Sequence, residues 1–144
     1  VMGREISRSR RAENPLCVAL LDVDNFKQIN DRLGHATGDA ALVHLADVVR
    51  TVMRPQDMLA RYGGEEFVIV LPDTGLVAGV EAMQRLQREL TKNFFLKDNE
   101  KLLITFSAGV AQMAASEDSQ DAISRADQAM YLAKRQGKNR VVAA

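Results

Sequence analysis

Leu16-Cys17-Val18-Ala19-Leu20-Leu21 is an unbroken apolar run that continues through Asp22 to Val23. A run apolar at every position, rather than at alternate ones, is what a central strand covered on both faces requires. The chain is therefore expected to build layers around this segment. The run ends in Asp22-Val23-Asp24, so a buried strand delivers two carboxylates at its tip. Residues two apart in a strand share a face, which lets Asp22 and Asp24 point the same way. Asp24 equally suits the cap of a following helix.

The rest of the chain alternates around that strand. Asn14-Pro15 breaks the chain before it, Phe26 to Leu33 reads as a short helix, and Gly34 stops it. Thr37-Gly38-Asp39 opens a second helix, with Ala41, Leu42, Leu45, Val48, Val49 and Val52 at helical spacing before Pro55. Met58 to Tyr62 and Glu65 to Leu71 form two strand-like arms about Gly63-Gly64, a pair suited to a tight hairpin with positive φ. A helix from Val77 to Leu90, a strand from Ile104 to Val110, a helix from Asp121 to Arg135 and a strand Arg140 to Val142 follow. A hairpin inside such alternation implies a mixed sheet with helices packed on it.

Composition narrows the function classes. Lysine plus arginine and aspartate plus glutamate are equal at 19 each, so no global field draws the chain to nucleic acid. No apolar run approaches the roughly 20 residues of a membrane span, and neither a signal peptide nor direct membrane contact is expected. Cys17, the single cysteine, sits inside the apolar run and reads as a buried structural thiol. A cytoplasmic location is the expectation. Val1 to Arg11 reads as the remainder of an amphipathic helix with no capping signal before it. We expect one domain over residues 1–144, taken from a longer protein with an upstream sensor or regulatory partner.

Asp22 acquires interest from the hairpin. Two neighbouring strands would bring it within reach of Glu65 and Glu66, and hard oxygen ligands suit Mg²⁺ together with substrate phosphates. Glu65 and Glu66 are adjacent, so a regular strand would turn them to opposite sides. Glu65 is the stronger candidate for direct ligation.

Four ordered blocks then carry a resemblance. Asp22-Val23-Asp24-Asn25-Phe26-Lys27-Gln28-Ile29-Asn30-Asp31, Gly34-His35-Ala36-Thr37-Gly38-Asp39, Arg61-Tyr62-Gly63-Gly64-Glu65-Glu66-Phe67, and Asp127 to Lys134 with Gly137-Lys138-Asn139 resemble the GGDEF-domain diguanylate cyclases, in a GGEEF variant. The family's Asp-x-Leu-Thr and Leu-x-Asn-Arg segment, which precedes its first helix, is not in this chain. The resemblance implies an α/β (α+β) fold like that of nucleotidyl cyclases and polymerase palms, a mixed sheet of about five strands with helices on both faces. It implies condensation of two GTP into cyclic di-GMP and two pyrophosphates by a homodimer.

The resemblance also implies roles. Asp22, Glu65 and Glu66 would be catalytic, holding Mg²⁺, or alternatively Mn²⁺, with the Val23 carbonyl, about two ions per half-site. Asn30 and Asp39 match guanine-binding positions, although each also suits a helix end. A carboxylate there accepts from guanine N1–H and the exocyclic amine, favouring guanine over adenine. Lys134 and Lys138 would contact the triphosphate, together with backbone amides at Asn25 and Phe26, where a helix start attracts anions. Both lysines also suit a solvated helix end. Lys138 replaces the arginine common there, keeping the charge and losing the bidentate fork. His35 and His44 are read as structural.

Arg54-Pro55-Gln56-Asp57 ends five residues before Gly63, the spacing of the family's inhibitory Arg-x-x-Asp product site, with Arg85 as a further basic contact. The alternative for such a tetrapeptide is a plain ion pair at a helix end. From Asp57 to Gly63 an extended strand covers roughly 20 Å, which sets this motif at the far end from the acidic tip. A catalytically silent receptor for GTP or cyclic di-GMP is the competing reading of the whole.

Overall fold

The computed structural model describes residues 14–97 and 99–144. The helix expected over residues 1–11 lies outside the described residues.

The apolar run is strand β1, Leu16–Val23, buried along its whole length. It is flanked by β3, Glu66–Pro72, and by β6, Phe106–Gln112, both antiparallel to it. β2, Met58–Arg61, and β7, Arg140–Ala143, complete a five-stranded sheet in the order β2-β3-β1-β6-β7. The β6–β7 pair is parallel, so the sheet is mixed. Among the described residues, no helix is long and apolar enough to cross a membrane.

Strand alternation divides the core in two. Cys17, Ala19, Leu21 and Val23 face α2, His35–Val52, and α3, Leu76–Lys92. Leu16, Val18 and Leu20 face α4, Ser119–Arg135, through Ala122, Ile123, Ala126 and Met130. Both faces of β1 are thereby covered, which is why the run needs no polar alternation. Burial pushes the Cys17 thiol up to about 11, and it packs against Gly79 of α3 as an inert core group. α4 is pinned at its start, where Asp118 accepts from the Asp121 amide at 2.8 Å. Arg125 grips Glu117 at 2.7 Å and holds that carboxyl down at about 2.

The short helix α1, Phe26–Leu33, forms as expected and ends at Gly34, whose φ of 91° suits glycine. α2 begins at His35, two residues before the expected Thr37. Two further expectations are corrected, and one element is added. The Gly63-Gly64 tip is a wider loop than a two-residue turn, since neither glycine has a positive φ. The amides of Tyr62 and Gly63 both donate to the Glu66 carbonyl, and Arg61 Nε donates to the Gly64 carbonyl at 3.1 Å. That side chain closes the loop, so no left-handed residue is needed. β6 begins at Phe106 rather than Ile104, because the Thr105 carbonyl instead accepts from the Asp24 amide. The hairpin of β4, Phe95–Lys97, and β5, Glu100–Leu102, was not expected; its strands are too short and too charged to show a period.

Candidate functional site

Asp22 stands directly opposite Glu66 in the β1–β3 register, so both side chains lie on the α4 face of the sheet. Lys134, in the last turn of α4, reaches down to Asp22 Oδ2 at 2.8 Å. Glycine at position 109 makes that reach possible. A Cβ there would lie 2.0 Å from the Ala126 carbonyl oxygen, so α4 crosses β6 closer than any side chain allows.

Asp22 is 5% exposed, and its Oδ1 has no hydrogen-bond partner. Burial raises its pKa despite the neighbouring lysine, and Glu65 and Asp24 add to the rise. Burial likewise raises Glu66, reinforced by Asp22, Asp127 and Glu65. Glu65 lies in the loop just before β3, with its carbonyl accepting from the Val23 amide at 3.3 Å. The tip therefore makes Asp22 and Val23 of β1 neighbours of Glu66 and Glu65 on the adjacent arm. Among the described residues no three such ligand groups are already gathered about one point. Lys134 supplies the positive charge at Asp22 Oδ2. The free buried Oδ1 and an all-oxygen donor set nevertheless fit a hard divalent cation.

Asp24 plays neither role weighed from the sequence. It does not cap α1, whose N-cap is Asn25 with no side-chain cap bond. Its Oδ1 accepts from Ser107 Oγ at 2.6 Å, and its Oδ2 from Thr105 Oγ1 at 2.8 Å and the Asn139 amide at 2.9 Å. Those bonds commit both carboxylate oxygens to β6 and to the approach to β7.

The start of α1 sits beside this cluster. Asn25 adopts a left-handed φ of 58°, and its side chain accepts from Lys138 Nζ at 2.6 Å instead of capping the helix. The first-turn amides, from Phe26 onward, thus keep no side-chain cap. Lys138 is not part of the helix end, because α4 stops at Arg135 and Lys138 lies in a left-handed turn. Both lysines still converge on the tip of β1, one through Asp22 and the other through Asn25.

Asn30 faces α2. Its Oδ1 is buried without a partner, and a Cβ on Gly38 would lie 1.8 Å from it. Gly38 thereby makes room for the amide, and exposed Asp39 follows it on the same helix. His44 is committed elsewhere, with Nε2 donating to the Asn93 carbonyl at 2.7 Å and its ring against Phe95.

Arg54 and Asp57 form the ion pair of the plainer reading, and more besides. Arg54 Nη2 donates to Asp57 Oδ1 at 2.7 Å and to the Pro72 carbonyl and Thr74 Oγ1 at 2.9 Å each. The pairing raises the Arg54 pKa. Arg54, Asp57 and Arg85 line one cleft of about 160 Å³ with Met53 and Leu86. It lies by Pro72, the end of β3 opposite Glu66.

Sequence reasoning missed Asp127 as a neighbour of Glu66. It stands seven residues before Lys134 on α4, a spacing that repeats on one helix face. Gln87 and Asn139 were missed as well, since their contact spans 52 residues.

Comparison with known proteins gives the family. Residues 2–140 match the family described as diguanylate cyclase, GGDEF domain. The chain is 42% identical over 140 residues to diguanylate cyclase DgcP of Pseudomonas aeruginosa, covering 97% of this chain and 21% of that protein. It spans well under half the length of the curated relatives it matches. The crystal structure of the GGDEF domain of DgcB from Caulobacter crescentus, in complex with c-di-GMP, superposes with a TM-score of 0.92 at 34% identity, covering 99% of this chain and 85% of that one. The active GGEEF domain of a diguanylate cyclase from Vibrio cholerae gives 0.89 at 35%, covering 99% and 90%. This chain belongs to the GGDEF diguanylate cyclase domain family.

Proposed function

We propose that residues 1–144 are the catalytic domain of a longer, regulated diguanylate cyclase, working in the cytoplasm as a homodimer with one GTP per protomer. The observation that carries this reading is the convergence of Asp22, Glu65 and Glu66 with Lys134 and Lys138 at the tip of β1. Each 3′-hydroxyl attacks the other nucleotide's α-phosphorus, forming an O3′–P bond and releasing pyrophosphate. Glu66, opposite Asp22 across the β1–β3 pair, is the second acidic group of the site, near the metals or the attacking hydroxyl. Asn30, with an unsatisfied buried oxygen, and exposed Asp39 read the guanine edge. Lys134, Lys138 and the amides at Asn25 and Phe26 bind the phosphates. Asp22, the Val23 carbonyl, Glu65 and Glu66 would hold Mg²⁺, or Mn²⁺ in its place, about two ions per half-site. Bound there, the metal offsets phosphate charge and polarises the α-phosphate. A two-fold symmetric product calls for two equivalent half-sites, which a symmetric dimer presents. A silent receptor would have no need of the acidic set at this tip.

Incubating the full-length protein with GTP and Mg²⁺ tests the reading. Pyrophosphate and cyclic di-GMP should appear, with specific activity rising with protein concentration. Glu65→Ala should lower the rate by about 100-fold or more. A rate indifferent to both concentration and Glu65 would overturn it, and no turnover even in a forced dimer would favour the receptor.

The cleft at Arg54, Asp57 and Arg85 is the proposed site of product inhibition. Arg54 Nη1 makes none of the bonds that hold the side chain in place, and Arg85 adds a second guanidinium. Arginine there takes phosphate or stacks on guanine, while Asp57 accepts from a guanine edge. Arg54→Ala and Asp57→Ala should each raise the cyclic di-GMP concentration needed for half-inhibition by about tenfold or more. Unchanged inhibition in both variants would remove the assignment.

A further inference from the structure

Lys138 reaches the head of α1 from backbone that its own residue type disfavours. Lys138 and Asn139 are consecutive left-handed residues, with φ of 66° and 49°. Such conformations persist outside glycine only where surrounding contacts over-determine them, and they gather at functional sites. The contacts here are specific. The Lys138 amide donates to the Ala133 carbonyl at 3.0 Å, closing the end of α4. The Asn139 amide donates to buried Asp24 at 2.9 Å. From the other side, Gln87 Nε2 of α3 donates to the Asn139 carbonyl at 2.7 Å and to its Oδ1 at 3.1 Å. Asp24 is itself locked by Ser107 and Thr105. One residue is thus gripped between a buried carboxylate and an amide, and the residue before it is the lysine bonded to Asn25.

We propose that Gln87, with Asp24, is a positioning residue for the nucleotide triphosphate: it fixes Asn139 so that the left-handed turn holds the Lys138 ammonium over the head of α1. This rests on the phosphate-binding reading of Lys138 given above. Among the described residues the Gln87 side chain donates its hydrogen bonds to Asn139, so it acts through the turn. The plainer role of the same contact is a staple between α3 and the approach to β7. The two differ in what they couple to. A staple lowers the melting temperature and leaves affinity alone, whereas a positioning residue loses its effect once Lys138 is gone.

A double-mutant cycle on the full-length protein separates them. Affinity is read by calorimetry with a GTP analogue bearing a methylene bridge between the α- and β-phosphorus, so that no turnover is required. Gln87 is half-buried on a helix, and Gln87→Met keeps its length and helix propensity. It should weaken binding about fivefold, and in a Lys138→Met background it should change binding by less than about twofold. With GTP itself, the KM of Gln87→Met should rise by a similar factor while kcat stays within about twofold. An equal loss in both backgrounds, or a lower melting temperature with unchanged affinity, would overturn the proposal. Binding without turnover in the wild type would instead overturn the cyclase reading and leave this inference to the cycle. Failure of the wild type to bind the analogue would overturn both.

Discussion

Asp22→Asn should slow cyclic di-GMP synthesis by about 100-fold or more while raising the melting temperature of the metal-free protein. Loss of activity follows from the carboxylate's place, opposite Glu66 and beside Lys134 at the tip of β1. Removing one charge-stabilising group from such a site costs about 100- to 1,000-fold in rate. The gain in stability follows from the sign of the pKa shift. Burial raises Asp22 above its ordinary value even though Lys134 opposes the rise. A raised carboxyl binds its proton more tightly in the folded state, so folding is favoured while the group is protonated. That advantage is lost as pH rises from the unfolded value through the folded one. At neutral pH the wild type therefore carries an unfavourable buried charge, which asparagine removes. Thermal melts in chelator across pH 4 to 8 check this, with the variant's excess shrinking toward acid. Added Mg²⁺ should raise the wild-type melting temperature and not that of the variant. A variant less stable than wild type at neutral pH would show that the Lys134 pair outweighs the burial.

Gly109→Ala should be the most damaging glycine-to-alanine change among the described residues. The added Cβ would meet the Ala126 carbonyl oxygen at 2.0 Å and the Met130 nitrogen at 2.4 Å. Both belong to the backbone of α4, so no side-chain rotamer relieves the clash. The helix must lift from β6 as a body and open the packing of Ala122, Ala126 and Met130. We expect a loss of about 3 kcal/mol, or roughly 10 °C in melting temperature, read by urea and thermal unfolding. Lifting α4 also carries Lys134 away from Asp22, so turnover should fall at temperatures where the variant is still folded. Gly64→Ala is the control for stability, since a Cβ there meets nothing within 4 Å. If Gly109→Ala melts within about 1 kcal/mol of the wild type, the close crossing of α4 over β6 is wrong.

Much of this site is legible in short stretches of chain. The unbroken apolar run identifies β1 as central, and strand alternation puts Asp22 on the α4 face with Leu20 and Val18. The Gly63-Gly64 segment announces a hairpin, and the pairing of its second arm with β1 brings Glu66 opposite Asp22. The strand length from Asp57 to Gly63 likewise sets Arg54 and Asp57 at the far end from the acidic tip, where the structure has a cleft. The wider loop at the hairpin escapes such reasoning because it is closed by the Arg61 side chain rather than by backbone preference. The β4–β5 hairpin escapes it because three-residue strands carry no readable period.

What the sequence determined by itself is the layered fold and which carboxylates share the tip of β1. Both rest on spacing within a few residues, where backbone geometry dictates which side chains share a face. Tertiary structure alone decided their orientation. Asp24 turns from a plausible cap or ligand into an internal tie because its partners lie 81, 83 and 115 residues onward. Lys138 leaves the helix end for a left-handed turn, beside an Asn139 held by Asp24 and Gln87. Bonds between segments so far apart form only when the sheet and its helices close, and no local pattern encodes them.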